Sequence, residues 1–126
     1  MMRILLDTHI FLWAINEDAS LSKKARMIIS GATEIYISSA SIWEAAIKIK
    51  LGKLDVQINK LVESISKSGF IELPITIVHA AKIYSLPHLH RDPFDRMLVA
   101  QTMSEPLCLV TSDKMLAQYS DLVEVI

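Results

Sequence analysis

Cysteine is nearly missing from this chain. The single copy, Cys108, sits inside the apolar run Leu107–Thr111. A lone thiol supports no disulfide framework and no zinc site, so Cys108 reads as a core residue in a protein suited to a reducing cytosol. An excess of charge of one sign is missing too. Thirteen Lys and Arg face fourteen Asp and Glu, for a net charge of −1 and a sequence pI near 6.4. That is not the footprint of a protein that coats nucleic acid by charge alone, although it allows a local basic patch beside an acidic centre. Long apolar runs are absent. The run Ile10–Ile15 falls far short of a helical membrane span, which needs roughly 20 residues. Asp7 interrupts the stretch where a signal peptide would need its apolar region. Repeats, low-complexity segments and linkers are lacking as well. Glycine occurs only three times, and Gly31, Gly52 and Gly69 each fall where a helix is expected to stop.

What remains is a chain of 126 residues, 52% apolar, which suits one domain over 1–126 with a real core. Arg3–Leu6 reads as a short buried strand. Thr8 is the expected cap of a helix over 9–16, and Ser20 that of a second over 21–30. Glu34–Ser38 is β-branched and aromatic, a second strand. A third helix opens at Ser39 or Ser41 and runs to Lys50, with Ile42, Ala45, Ala46 and Ile49 at helical spacing. A fourth covers 58–67, with Leu61, Val62 and Ile65 expected to face inward. Phe70–Leu73 is a third strand, and Thr76 caps a short helix to Tyr84. After the loop 85–91, Asp92-Pro93 opens a helix to Ser104. Leu107–Thr111 is a fourth strand, 114–119 a short helix and 122–126 a last strand. Strands alternating with helices predict an α/β fold with a parallel sheet covered on both faces. Right-handed crossovers then collect the carboxyl ends of the strands on one edge.

Acids recur near that edge. Asp7 follows the first strand and Asp113 the fourth. Glu44 and Asp95 would reach the edge from helices. Each has a plain structural explanation. Asp7 and Asp113 can cap the helices that follow them, and Asp92 and Asp95 can satisfy a helix start. Glu44 precedes Lys48 by four residues, the favourable order for a surface ion pair. Together the four acids suggest more. Carboxylates held close repel unless a cation or proton compensates. An all-carboxylate set suits magnesium or manganese, which lowers the pKa of bound water and neutralises charge on a scissile phosphate. Lys48, Arg96 and Lys114 adjoin these acids and are candidates to hold a phosphate backbone. His9, His88 and His90 have no metal-ligand spacing and read as loop or surface residues. Trp43 reads as core or interface rather than as a stacking platform for bases.

These segments resemble the PIN-domain family, and within it the VapC-like toxins of toxin–antitoxin pairs. The resemblance is carried by Leu5-Leu6-Asp7-Thr8-His9, Ser41-Ile42-Trp43-Glu44 with Lys48–Leu54, His90–Gln101 around Asp92-Pro93-Phe94-Asp95-Arg96, and Thr111-Ser112-Asp113-Lys114. It spans nearly the whole chain, with four acid-bearing segments in the family's order. It implies a three-layer α/β/α PIN-like domain and a magnesium- or manganese-dependent endoribonuclease that blocks translation. Asp7, Glu44, Asp95 and Asp113 would be the acidic cluster. Asp7 and Asp95 would contact the metal directly, Glu44 and Asp113 directly or through water, and Asp92 is a fifth candidate. The implied partners are RNA, a small antitoxin and further copies of the chain in a homodimer or larger assembly, in the cytoplasm and without a membrane. A phosphoacceptor domain or a haloacid-dehalogenase-like phosphatase would need a second acid beside the first, where Thr8 and His9 stand. The competing reading is a non-catalytic RNA- or protein-binding module whose acids hold a structural ion.

Overall fold

The computed structural model describes residues 2–126. Its centre is a five-stranded sheet in the order β3-β2-β1-β4-β5, made of β1 (Arg3–Leu6), β2 (Glu34–Ser38), β3 (Ile71–Leu73), β4 (Cys108–Thr111) and β5 (Val123–Val125). Every pairing is parallel, as the alternation of strands and helices predicts. β1 is central, with Leu6 level with Ile37 on one side and Val110 on the other.

The pleat divides the core in two. Ile4 and Leu6 point to one face and Leu5 to the other, and all three are fully buried. The first face is covered by α1 (Thr8–Ile15), α2 (Lys23–Gly31) and α4 (Ile58–Lys67), which contribute Phe11, Ala25 and Leu61. The second face is covered chiefly by α6 (Pro93–Ser104), through Leu98, Val99 and Ala100. Helix α5 (Ile77–Lys82) packs on α6. There the buried ring of His79 accepts from the Thr76 amide at Nδ1 and donates from Nε2 to Glu105 at 2.7 Å. The result is the three-layer α/β/α arrangement expected from the sequence. Helix α3 (Ser39–Lys50) belongs to neither layer alone. It leaves the end of β2 and crosses the sheet edge, with Ala40 in one core and Ala45 in the other.

Local chemistry explains the element ends. α3 and α4 both close with a glycine in the left-handed region, Gly52 at φ 74° and Gly69 at φ 76°. In each, the next amide reaches back to the helix, Lys53 to the Lys48 carbonyl and Phe70 to the Ile65 carbonyl, both at 2.8 Å. Gly31 is instead the last residue of α2.

Two expected caps move. Asp7, not Thr8, caps α1. Ser22, not Ser20, caps α2: Ser20 belongs to the preceding turn, its amide donating to the Asp18 side chain at 2.8 Å, and the helix starts only at Lys23, where the Ser22 hydroxyl accepts from the Ala25 amide at 3.1 Å. Val62 was expected inside but is 51% exposed, since the buried stripe of α4 runs through Leu61 and Ile65 and Val62 falls to its side. Among the described residues, no helix is long and apolar enough to cross a membrane.

Candidate active site

The carboxyl ends of β1 and β4 lie side by side. The Asp7 amide donates to the Val110 carbonyl at 3.1 Å, which brings Asp7 beside Thr111. One Asp7 oxygen, Oδ1, accepts from the Ile10 amide at 2.8 Å and caps α1. The other, Oδ2, accepts from the Thr111 hydroxyl. Burial raises the Asp7 carboxyl above the usual range and Glu44 adds to this, while the bonds from Thr111 and Ile10 and the nearby His9 oppose it.

Glu44 comes from α3, which spans the strand ends. Its carboxylate receives the Lys48 ammonium at 2.8 Å. The predicted pair forms, but at its Glu44 end it is not a solvated surface pair, because that side chain is only 7% exposed.

Asp95 lies in the first turn of α6. Asp92 caps that helix, its Oδ1 accepting from the Phe94 and Asp95 amides at 2.8 and 3.2 Å. The Asp95 carboxyl is pushed up to about 7 by burial first, then by the charges of Asp92, Asp7 and Glu44, with His90 opposing. Asp95, Asp92, Asp7 and Glu44 therefore share one electrostatic neighbourhood.

Asp113 caps the 3-10 turn Lys114–Gln118 through Oδ1, which accepts from the Met115 amide at 2.9 Å. Its Oδ2 receives His90 Nε2 at 3.0 Å, and the same nitrogen lies 3.7 Å from Asp95 Oδ2. One ligand atom from each of His90, Asp95 and Asp113 fits within 4.8 Å of the others.

Two residues here were not singled out by their sequence. Thr111 reads only as a strand residue, yet its hydroxyl donates to Asp7 and accepts from the Asp113 amide at 3.0 Å, joining two of the acids. His90 was expected at the surface, but its side chain is 17% exposed and lies among the acids. A His two residues before the capping Asp92 is the one local signal, because its ring accepts the Asp92 amide at 3.0 Å.

Among the basic candidates, Lys48 is held by Glu44 and also lines an open cleft of about 470 Å³ with His9, Trp13 and Lys53. The Arg96 guanidinium donates to the Pro87 carbonyl at 3.0 Å and the Tyr119 hydroxyl at 3.1 Å. Lys114 is exposed beside Asp113. Trp43 is not a core residue. It is 59% exposed and meets Phe94 edge-on at 5.0 Å.

The donor set is carboxylate oxygen, the chemistry of hard divalent cations. The Asp95 carboxyl, raised first by burial and then by the charges of Asp92, Asp7 and Glu44, would be relieved by a cation there. The donor chemistry fits a hard divalent cation.

Thr111→Val tests the link between the strands. It keeps the shape and removes the donor to a buried carboxylate. Leaving such a group unpaired costs about 1–3 kcal/mol. The urea midpoint at neutral pH should fall accordingly, and an unchanged midpoint would mean the hydroxyl holds nothing.

A parallel α/β fold with carboxylates gathered where its strands end defines the class of protein. Within that class the chain belongs to the PIN domain family, whose model matches residues 4–122. No curated protein matches the sequence significantly. Several solved structures share the fold. VapBC2 from Rickettsia felis, bound to a DNA fragment from its promoter, superposes with a TM-score of 0.70 at 19% identity, covering 98% of both chains. DNA-bound VapBC from Salmonella typhimurium gives 0.69 at 15% identity, covering 100% of this chain and 98% of the other. A toxin–antitoxin complex from Klebsiella pneumoniae gives 0.67 at 17%, covering 97% and 96%. The family resemblance read from the four acid-bearing segments is thus borne out.

Proposed function

We propose that this protein is a metal-dependent endoribonuclease, the toxin of a toxin–antitoxin pair that acts on RNA in the cytoplasm and blocks translation. The observation that carries the reading is geometric: Thr111 joins Asp7 and Asp113 at the paired ends of β1 and β4, and His90 stands between Asp113 and Asp95. Burial and the charges of Asp92, Asp7 and Glu44 push the Asp95 carboxyl up in the same place, which is expected where a cation is to be bound.

Asp7 and Asp95 would hold a magnesium or manganese ion, with Glu44 and Asp113 completing the site directly or through water. Such an ion supplies charge neutralisation at the phosphate and activation of water. The chain's own groups do the rest. Thr111 orients Asp7, and Lys48 fixes Glu44. Asp113, with 37% side-chain exposure the most open of Asp7, Glu44, Asp95 and Asp113, would take the proton that an attacking water gives up. Lys48, Arg96 and Lys114 supply positive charge for the RNA backbone. An unpaired or loop segment of RNA suits the site better than a duplex, because its backbone and bases can splay toward the acids.

The partner would be a small antitoxin that covers the acids at the strand ends, since the Klebsiella pneumoniae relative is a toxin–antitoxin complex. Two copies of this chain would form the assembled toxin. The test is cleavage of RNA by the purified protein, free of antitoxin, with manganese, with magnesium and with EDTA. An Asp7→Asn preparation run in parallel exposes contaminating nuclease. Cutting is expected with either metal and should vanish in EDTA and in the variant. Specific RNA binding without any cutting, by folded protein loaded with metal, would favour the non-catalytic module instead.

A further inference from the structure

His90 lies beside Asp95 and Asp113 in the geometry of a metal ligand, and its hydrogen bonds say otherwise. The Asp92 backbone amide donates to His90 Nδ1 at 3.0 Å. An amide can only donate, so Nδ1 carries the lone pair, and the proton of the neutral ring sits on Nε2. That Nε2–H points at Asp113 Oδ2 at 3.0 Å, with Asp95 Oδ2 at 3.7 Å. A nitrogen that carries a proton offers no lone pair to a cation. For His90 to ligate through Nε2, the proton would have to move to Nδ1, against the Asp92 amide.

The ring is also held firmly. The His90 backbone amide donates to the Tyr119 hydroxyl at 2.8 Å, and that hydroxyl also receives Arg96. The backbone is thus tied to Tyr119 and the ring edge to Asp92, so the imidazole has one orientation. Asp113 depends on it. The Met115 amide holds Asp113 Oδ1, and His90 is the hydrogen-bond donor to Oδ2. Without that bond this partly exposed carboxylate keeps only the Met115 amide and can turn its Oδ2 away from Asp95.

We infer that His90 is a positioning residue of the proposed metal centre: its Nε2–H holds the Asp113 carboxylate toward Asp95, and His90 is not itself a ligand. The inference rests on the metal-site reading above and assigns one of its supports.

Side-chain amides separate the two nitrogens. Gln can place a donor near the position of Nε2 and keep the bond to Asp113. Asn can place an acceptor near Nδ1, keeping the Asp92 amide satisfied while leaving Asp113 unheld. Mn2+ binding to the full chain, measured by calorimetry at neutral pH beside thermal melting, should give an ordered series. His90→Ala and His90→Asn are expected to bind about 10–100-fold more weakly, the usual effect of losing a hydrogen bond that orients a ligand. His90→Gln should stay within about threefold of the parent, as the retained donor keeps that orientation. If the ring only anchors its loop, the order reverses: Asn matches the parent and Gln falls with Ala, and the inference is overturned.

Nitrogen-15 NMR of the His90 ring gives a readout that needs no metal. The Nε2–H form is expected, and it should persist when Mg2+ is added. An Nδ1–H ring in either state would take the donor away from Asp113, leave Nε2 free to ligate and refute the positioning role. Should the parent bind no Mn2+ while showing the Nε2–H ring, the metal reading itself has failed and the inference falls with it. Mn2+ binding that is indifferent to all three variants defeats the inference alone.

Discussion

Asp95→Asn should yield a protein that is more stable than its parent and no longer cuts RNA. The two effects share one cause. In the folded chain burial, and then the charges of Asp92, Asp7 and Glu44, push the Asp95 carboxyl up to about 7, well above the ordinary carboxylate value of about 4. Each pKa unit corresponds to about 1.4 kcal/mol, so the unfavourable interaction is at most about 4 kcal/mol. The side chain keeps 22% of its exposure, and solvent screening lowers a realistic gain to about 1–2 kcal/mol.

The sign follows from linkage. A carboxyl whose pKa is raised by folding binds more protons in the folded state than in the unfolded state between the two values. Its contribution to stability is therefore lost as pH rises from about 4 toward about 7, and changes little beyond. The melting temperature of Asp95→Asn minus that of the parent should be near zero at pH 4 and should grow to a plateau above pH 7. Mn2+ should raise the parent's melting temperature and leave the variant's unchanged, because only a folded site that binds the ion gains from it. Cleavage should drop by about a thousandfold or more, since charge stabilisation of several kcal/mol is lost. A variant that melts lower than its parent at pH 8 would show that the carboxylate is structurally paired, and the strained-acid reading would be wrong.

Asp7 carries the second large expectation, because it does two separable jobs. Oδ1 caps α1 through the Ile10 amide, and Oδ2 receives Thr111. Asn is as good a helix cap as Asp, so Asp7→Asn should fold with nearly the parent's stability. Ala removes the cap and leaves both the Ile10 amide and the Thr111 hydroxyl without their partner. Loss of a cap costs about 1 kcal/mol and each unpaired buried group about 1–3 kcal/mol. Asp7→Ala should therefore lose about 2–4 kcal/mol, or roughly 10 °C in melting temperature for a chain of this size. Both variants should be inactive on RNA by about a thousandfold, as the carboxylate is gone in each. Inactivity in Ala alone, with Asn cutting normally, would reduce Asp7 to a cap and remove it from the chemistry.

Much of the fold is legible without coordinates, for local reasons. The strand Arg3–Leu6, the α6 start at Asp92-Pro93 and the glycine stops at Gly52 and Gly69 depend on side chains within a few residues of one another. The caps of α1 and α2 were misplaced by one and two positions. Several Ser, Thr and Asp residues compete at those turns, and the preceding turn decides which is free. Of the two readings of Trp43, core or interface, the structure excludes the first, because its helix crosses the sheet edge and helical spacing alone does not say which side is covered.

The amino-acid sequence by itself determined the class of fold, the family and the four acids to watch. Periodicity, caps and short motifs are properties of neighbouring residues. Only the tertiary structure decided what surrounds those acids. Thr111 reaches Asp7 across 104 positions and His90 reaches Asp113 across 23, through contacts that exist because β1 and β4 pair and the loop before α6 folds over their ends. The raised Asp95 carboxyl has the same origin. A pKa records burial and the charges nearby, and both are set by which distant segments the sheet brings together.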